Sequence, residues 1–219
     1  PHLSLSGPAA DTVFAAGVPV TFTWTFTNIL PEETKDYSVL LSFHHLKQSE
    51  WKPLASAVPL EPAAYAWTTP AEDLDRVSVR ALLFRKSDQS NLSASATLTG
   101  EFSVDHTSPF FALTMPPRPK KLLSGNRLTF TFTAHDNHPG ASGIAEVQVY
   151  YRNLLEPDSP WKALPEIRSG DELALPDGKI GFYGRGRDRA GNTSGPEPVA
   201  DTSPMYDVVV DSKLFISTD

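Results

Sequence analysis

A pattern laid down at the start of this chain returns 108 residues later. Pro1, Leu3, Gly17 and Thr21-Phe-Thr-Trp-Thr25 have counterparts at that same distance in Pro109, Phe111, Gly125 and Thr129-Phe-Thr-Phe-Thr133. Self-similarity of this length is a strong constraint, because the fold of the first half must be one the second half can also build. Further along the spacing drifts by a few residues, as it does when insertions collect in loops. Trp161 answers Trp51, Arg185 answers Arg80, and Val208-Val-Val-Asp211 answers Phe102-Ser-Val-Asp105. The seam is Phe102-Ser-Val-Asp-His-Thr-Ser-Pro109, where an alternating strand runs into a proline that removes a backbone donor.

The repeated material reads as β-structure. Between Val18 and Thr27, Val20, Phe22, Trp24 and Phe26 alternate with threonines, the period of a strand with one face buried. Val77, Val79, Ala81 and Leu83 alternate in the same way over residues 76–84. Residues 37–46 carry apolar side chains on both faces, as a central strand or a contact surface does. Residues 28–36 read as a loop, residues 85–97 as a polar turn, and Pro53, Pro59 and Pro62 mark extended, edge-like segments. With 20 Pro, 13 Gly and 219 residues, the chain suits short strands and turns arranged as two domains of roughly 110 residues. We expect an all-β protein of two tandem immunoglobulin-like Greek-key sandwiches, residues 1–108 and 109–219, with about seven strands in each. The alternative is a single continuous β-fold, which Pro109 at the midpoint disfavours.

Charge narrows the partners. Residues 1–108 hold 7 Lys and Arg against 12 Asp and Glu, and residues 109–219 hold 12 against 14, so neither half is a basic platform for nucleic acid. No apolar run approaches the roughly 20 residues that span a bilayer, and membrane insertion of this segment is not expected. Zero cysteines exclude disulfides, thiolate metal sites and a cysteine nucleophile, but not export.

The second copy also carries a recognisable order of motifs: Asp136-Asn-His-Pro-Gly-Ala-Ser-Gly143, Val147-Gln-Val-Tyr-Tyr151, Trp161, Gly184-Arg-Gly-Arg-Asp188-Arg-Ala-Gly-Asn192 and Val208-Val-Val-Asp211. This order resembles the bacterial immunoglobulin-like and fibronectin-type-III-like repeats of large exported surface proteins. In those repeats an aspartate and Ser-Gly precede a strand, a tryptophan follows a hairpin, and a D-x-A-G-N turn comes near the end. The first copy departs from them, with residues 83–90 in place of that turn. The resemblance implies an extracellular or cell-surface location and neighbouring repeats in a longer chain. Leu214-Phe-Ile216 would begin another first strand.

Several residues are candidates for sites. Trp51, Tyr65, Trp67 and Trp161 are candidate ligand-binding aromatics, weighed against packing beneath hairpins; Trp24 is read as core. Asp188 to Asn192 reads first as a turn in which Asp and Asn bond nearby amides; the alternative gathers Asp136, Asp188 and Asn192 around calcium. His135 and His138 lack an evident third ligand for zinc, and Arg185, Arg187 and Arg189 read as a solvated face paired with acids on a neighbouring strand. Acids such as Glu72 and Asp73 read as solvated turn residues. The chain lacks a Gly-x-Ser-x-Gly elbow, a His-Glu-x-x-His pair and a phosphate-binding Gly loop, so no catalytic residue and no cofactor are expected. The functional expectation is a non-catalytic structural or adhesive module that meets a protein or glycan at a cell surface. The alternative is a carbohydrate- or protein-binding accessory module attached to a secreted enzyme.

Overall fold

The computed structural model describes residues 1–115, 127–156 and 158–211. It divides into two compact units: Pro1–Thr107 with His138–Ser142, and Ser108–Asn137 with Gly143–Asp219. Gly125 and Leu214-Phe-Ile216 lie outside the described residues.

The first unit is built from β1 (His2–Ser6), β2 (Val13–Ala15), β3 (Pro19–Thr27), β4 (Tyr37–His45), β5 (Gln48–Pro59), β6 (Ala64–Thr68), β7 (Leu74–Arg85), β8 (Asp88–Thr97) and β9 (Phe102–Asp105). One sheet has the order β1-β3-β6; the other runs β2-β9-β7-β4-β5, with β8 also paired to β7. The alternations read from sequence decide which side chains meet between them. Leu3, Leu5, Val20, Phe22 and Trp24 from one sheet share a core with Val39, Leu41, Phe43, Val77, Val79, Ala81, Leu83, Phe102 and Val104 from the other. β4 is central, between β7 and β5, which accounts for its apolar residues on both faces. The proline-bearing β5 is an edge strand, where a missing backbone donor costs no ladder bond.

Two sequence readings need correction. Residues 85–97 are not a turn: only Lys86 and Ser87 turn, and β8 then runs back along β7. Its Ser/Ala alternation hides the strand because alanine carries little apolar surface, yet Ala94 and Ala96 pack against the core. Within residues 28–36, Pro31–Asp36 forms a 3-10 helix in place of an irregular loop.

The second unit contains β10 (Phe110–Leu113), β11 (Arg127–Phe130), β12 (Phe132–His135), β13 (Ile144–Asn153), β14 (Lys162–Leu164), β15 (Asp171–Ala174), β16 (Gly178–Asp188) and β17 (Tyr206–Val210). β10 pairs with β12 and β11 with β15, while the other sheet has the order β14-β13-β16-β17. Leu128 and Phe130 meet Val149, Ile180, Phe182, Tyr206, Val208 and Val210 in its core. Taken as one interrupted strand, β11 and β12 occupy the place of β3.

Strand registers repeat between the units. Leu3 faces Phe26 and Leu5 faces Trp24; the residues 108 further on, Phe111 with Ala134 and Leu113 with Phe132, face each other too. Val20 opposite Trp67 and Phe22 opposite Tyr65 recur as Leu128 opposite Leu173 and Phe130 opposite Asp171. Val77 opposite Phe102 recurs as Ile180 opposite Val208. Each unit therefore places a first, second and fifth principal strand against a second layer, β14-β13-β16-β17 in the second unit and β5-β4-β7-β9 with β2 and β8 added in the first. This is the immunoglobulin-like sandwich in its fibronectin-type-III arrangement.

Candidate functional site

The outer face of the β5-β4-β7 layer in the first unit carries an aromatic and cationic cluster. The inward positions are Val39, Leu41 and Phe43 on β4 and Val79, Ala81 and Leu83 on β7. Alternation turns Leu40, Ser42, His44, Arg80, Leu82 and Phe84 outward. On β5, Lys52 is opposite Phe43, which brings the preceding residue, Trp51, beside His44. The His44 ring meets the Trp51 ring edge-on at 4.4 Å, and the Arg80 guanidinium lies 4.2 Å from the Trp51 ring centre. Arg80 Nε donates to Ser42 Oγ at 2.9 Å, which holds the cation over the indole. Half-buried Leu40, Leu82 and Phe84, with exposed Leu92 opposite Phe84, extend the face as apolar surface.

The second unit repeats this cluster with its flanking groups exchanged. Lys162 is opposite Tyr151 as Lys52 is opposite Phe43, so Trp161 takes the place of Trp51. Arg152 lies 4.8 Å from the Trp161 ring centre and the Tyr183 ring 6.1 Å away. Tyr150 faces Tyr183 where Ser42 faces Arg80, so Tyr183 answers Arg80, and Arg185 answers Leu82. The sequence match of Arg185 to Arg80 was thus one strand period out, because the offset changes between strands. Both tryptophans sit between one arginine and one ring, with the arginine on β7 in the first unit and on β13 in the second.

In the second unit, part of the β16–β17 connection crosses this face. Tyr183 Oη donates to the Pro196 carbonyl at 3.2 Å and Trp161 Nε1 to the Val199 carbonyl at 3.0 Å. Arg152 donates to the carbonyls of Ala200 and, at 3.2 Å, Thr202. Arg185 donates to Glu197 Oε1 at 2.9 Å and to Gln148 Oε1 at 2.7 Å, so its acidic partner stands on the β16–β17 connection and its partner on the neighbouring strand is an amide.

Tyr65 and Trp67 stand apart from these faces. Both pack against the first unit's core from β6; Trp67 has ring contacts with Phe22, Phe43 and Phe102, and Tyr65 Oη donates to the Leu54 carbonyl at 3.2 Å. The four candidate aromatics thus comprise two outward-facing tryptophans in separate units and an inward pair.

The carboxylates considered for calcium are engaged in local bonds. Asp188 Oδ1 accepts from the backbone amides of Gly191 at 2.6 Å and Asn192 at 2.8 Å, and Asp188 Oδ2 accepts from Asn192 Nδ2 at 2.9 Å. Gly191 takes a φ of 101°, where a Cβ would be strained. Asp136 Oδ2 accepts from the Gly143 amide at 2.7 Å. These bonds close turns.

A cluster not singled out from sequence forms where His138 meets two aspartates of the first unit. His138 Nε2 lies 3.2 Å from Asp105 Oδ1 and Nδ1 lies 3.5 Å from Asp73 Oδ2. Asp105 is 0% exposed, and its Oδ2 accepts from the Ser142 amide at 2.7 Å. Asp73 accepts from the His106 amide at 2.7 Å, the Thr107 amide at 3.0 Å and the Thr107 hydroxyl at 2.5 Å. Burial alone would raise the Asp73 pKa, but these bonds and the charge of protonated His138 outweigh it and hold the carboxyl below its ordinary 3.8. One ligand atom from each of the three residues lies within 4.8 Å of the others, close enough to hold a metal ion. However, the two imidazole nitrogens address different carboxylates, so the ring bridges the two aspartates and its nitrogens do not converge on one point.

No family model matches the chain, and no curated protein matches it. Solved structures similar to it include fibronectin(III)-like modules of Clostridium thermocellum CbhA, with 16% identity, a TM-score of 0.38 and 98% of each chain covered. The chicken CNTN1 FN1-FN3 domains give 13% identity and a TM-score of 0.29, covering 94% of this chain and 67% of that one. The chicken interferon gamma receptor alpha chain gives 13% and 0.33, covering 86% and 95%. The fold assignment rests on the strand order and register described above.

Proposed function

We propose that this chain is a non-catalytic extracellular module of a larger exported bacterial protein, a spacer or cell-surface interaction segment made of two tandem sandwiches, residues 1–108 and 109–219. The observation that supports this reading is the repeated register. One sandwich is built twice, which extends a chain without adding new chemistry. Limited proteolysis tests it: two stable fragments parted near Ser108–Pro109 are the expected result, and a single core that resists division would count against it.

The outward position of Trp51 favours a second reading, a module that binds a glycan or protein ligand, alone or as the accessory of a secreted enzyme. A half-exposed tryptophan stacked by a cation on a rigid sheet is a common anchor for recognition. Glycan-array and cell-binding assays on the wild type and Trp51→Ala check this. Binding lost with thermal stability retained is the expected outcome, whereas Tyr65→Ala and Trp67→Ala are expected to lower stability first.

A further inference from the structure

The two units differ in what covers their equivalent faces. In the second, the segment over Trp161 is drawn from the connection between Asp188 and Tyr206, and it meets the face through the carbonyls of Pro196, Val199, Ala200 and Thr202. Pro196 and Pro198 bring no amide donors, so the segment is weighted toward acceptors. The face beneath supplies what such a segment lacks: an indole N–H, a phenol and guanidinium groups.

In the first unit the corresponding connection, from β7 to β9, is taken up by β8, which pairs along β7 within the sheet instead of crossing its outer face. The stacked tryptophan is nevertheless present. Among the described residues, none accepts a hydrogen bond from the Trp51 indole N–H. Arg80 and His44 flank it, and Leu40, Leu82 and Phe84 continue the face.

We propose that the outer face of the first unit around Trp51 docks an extended, proline-containing peptide segment, as the second unit's face holds its own residues 196–202. The Trp51 N–H and the Arg80 guanidinium donate to backbone carbonyls of the segment, and its prolines rest on the indole and on Leu40 and Leu82. Proline-rich segments suit such a surface because they are already extended and give up little conformational entropy on docking. This inference rests on the binding-module reading and names the class of partner.

The test is a titration of the whole chain with a synthetic peptide of residues 193–202, followed by calorimetry and by chemical shifts of the tryptophan indole N–H groups. Expected is saturable binding that shifts the Trp51 signal and weakens by about tenfold or more in Trp51→Ala, as truncation of a tryptophan anchor does. Trp51→Phe keeps an aromatic ring but removes the N–H, and weakened binding by this folded variant supports the inference even where the alanine variant unfolds. A peptide with both prolines changed to alanine binds more weakly. Absence of binding at about 1 mM peptide, an affinity too weak to be specific, overturns the inference. Equal binding by wild type and Trp51→Phe overturns it as well. If the peptide fails while glycan or cell binding still depends on Trp51, only this inference falls; if both fail, the binding-module reading falls with it.

Discussion

At Asp73, the sign of the pKa shift fixes a pH dependence. Its carboxyl is depressed below 3.8, so the folded state gains stability from the ionised form. That gain is complete well above 3.8 and is lost as pH falls through the folded-state pKa. Asp73→Asn is therefore expected to lower unfolding free energy by about 1.5–3 kcal/mol at pH 7, the range for hydrogen bonds to a charged group. Urea denaturation of both proteins at pH 7 and across the acid range should find the gap shrinking as pH falls below about 4. A gap independent of pH would mean that the charge contributes nothing. Asp73 was not legible as a structured residue: the sequence shows an acid among turn residues, whereas its partners His106, Thr107 and His138 are far along the chain. Trp51 was legible as a candidate, but the residues flanking it were not, since His44 and Arg80 reach it only through strand register.

Single strands yield sharper tests, because neighbouring residues lie on opposite faces. On β7, Leu83 is 0% exposed in the core, while its neighbour Leu82 faces outward and is half-buried. Leu83→Ala is expected to cost about 2–5 kcal/mol through lost burial and a cavity, and Leu82→Ala clearly less. Equal losses by chemical denaturation would place the strand face wrongly. On β16 the constraint is one of space. A Cβ on Gly184 would come within 2.4 Å of the Phe111 ring, so Gly184→Ala forces that ring out of its position and is expected to cost about 1–3 kcal/mol, read as a lowered Tm. Phe111→Leu combined with Gly184→Ala should recover part of the loss. Strands with bulky alternating residues, β3 and β7, were readable from sequence because burial wrote the period directly. β8 was not, because its inward positions are alanines and its place is set by pairing with β7. The same limit applies to the D-x-A-G-N turn: its bonds could be read locally, whereas the cover over Trp161 depends on where a long connection lands.

For the molecule as a whole, the sequence repeat and the compact units differ in one respect. The repeat divides at 108, yet His138–Ser142 groups with Pro1–Thr107. These residues bring the Ser142 amide to Asp105 and the His138 ring to both Asp105 and Asp73. A fragment of residues 1–108 contains every strand of the first sandwich but neither of those partners. Its two carboxylates then lose the Ser142 amide donor and the neighbouring His138 ring, a change worth about 1–3 kcal/mol, which in a domain of about 100 residues lowers Tm by roughly 4–8 °C per kcal/mol. Calorimetry is expected to find the isolated fragment folded, with its transition below that of the same unit in the intact chain. His138→Ala in the intact chain should move that unit's transition part of the way toward the fragment's, since the Ser142 amide bond survives the substitution. A fragment as stable as the intact unit, together with no effect of His138→Ala, would mean that these five residues lie beside the sandwich without supporting it, and that the sequence boundary at 108 is also the energetic one.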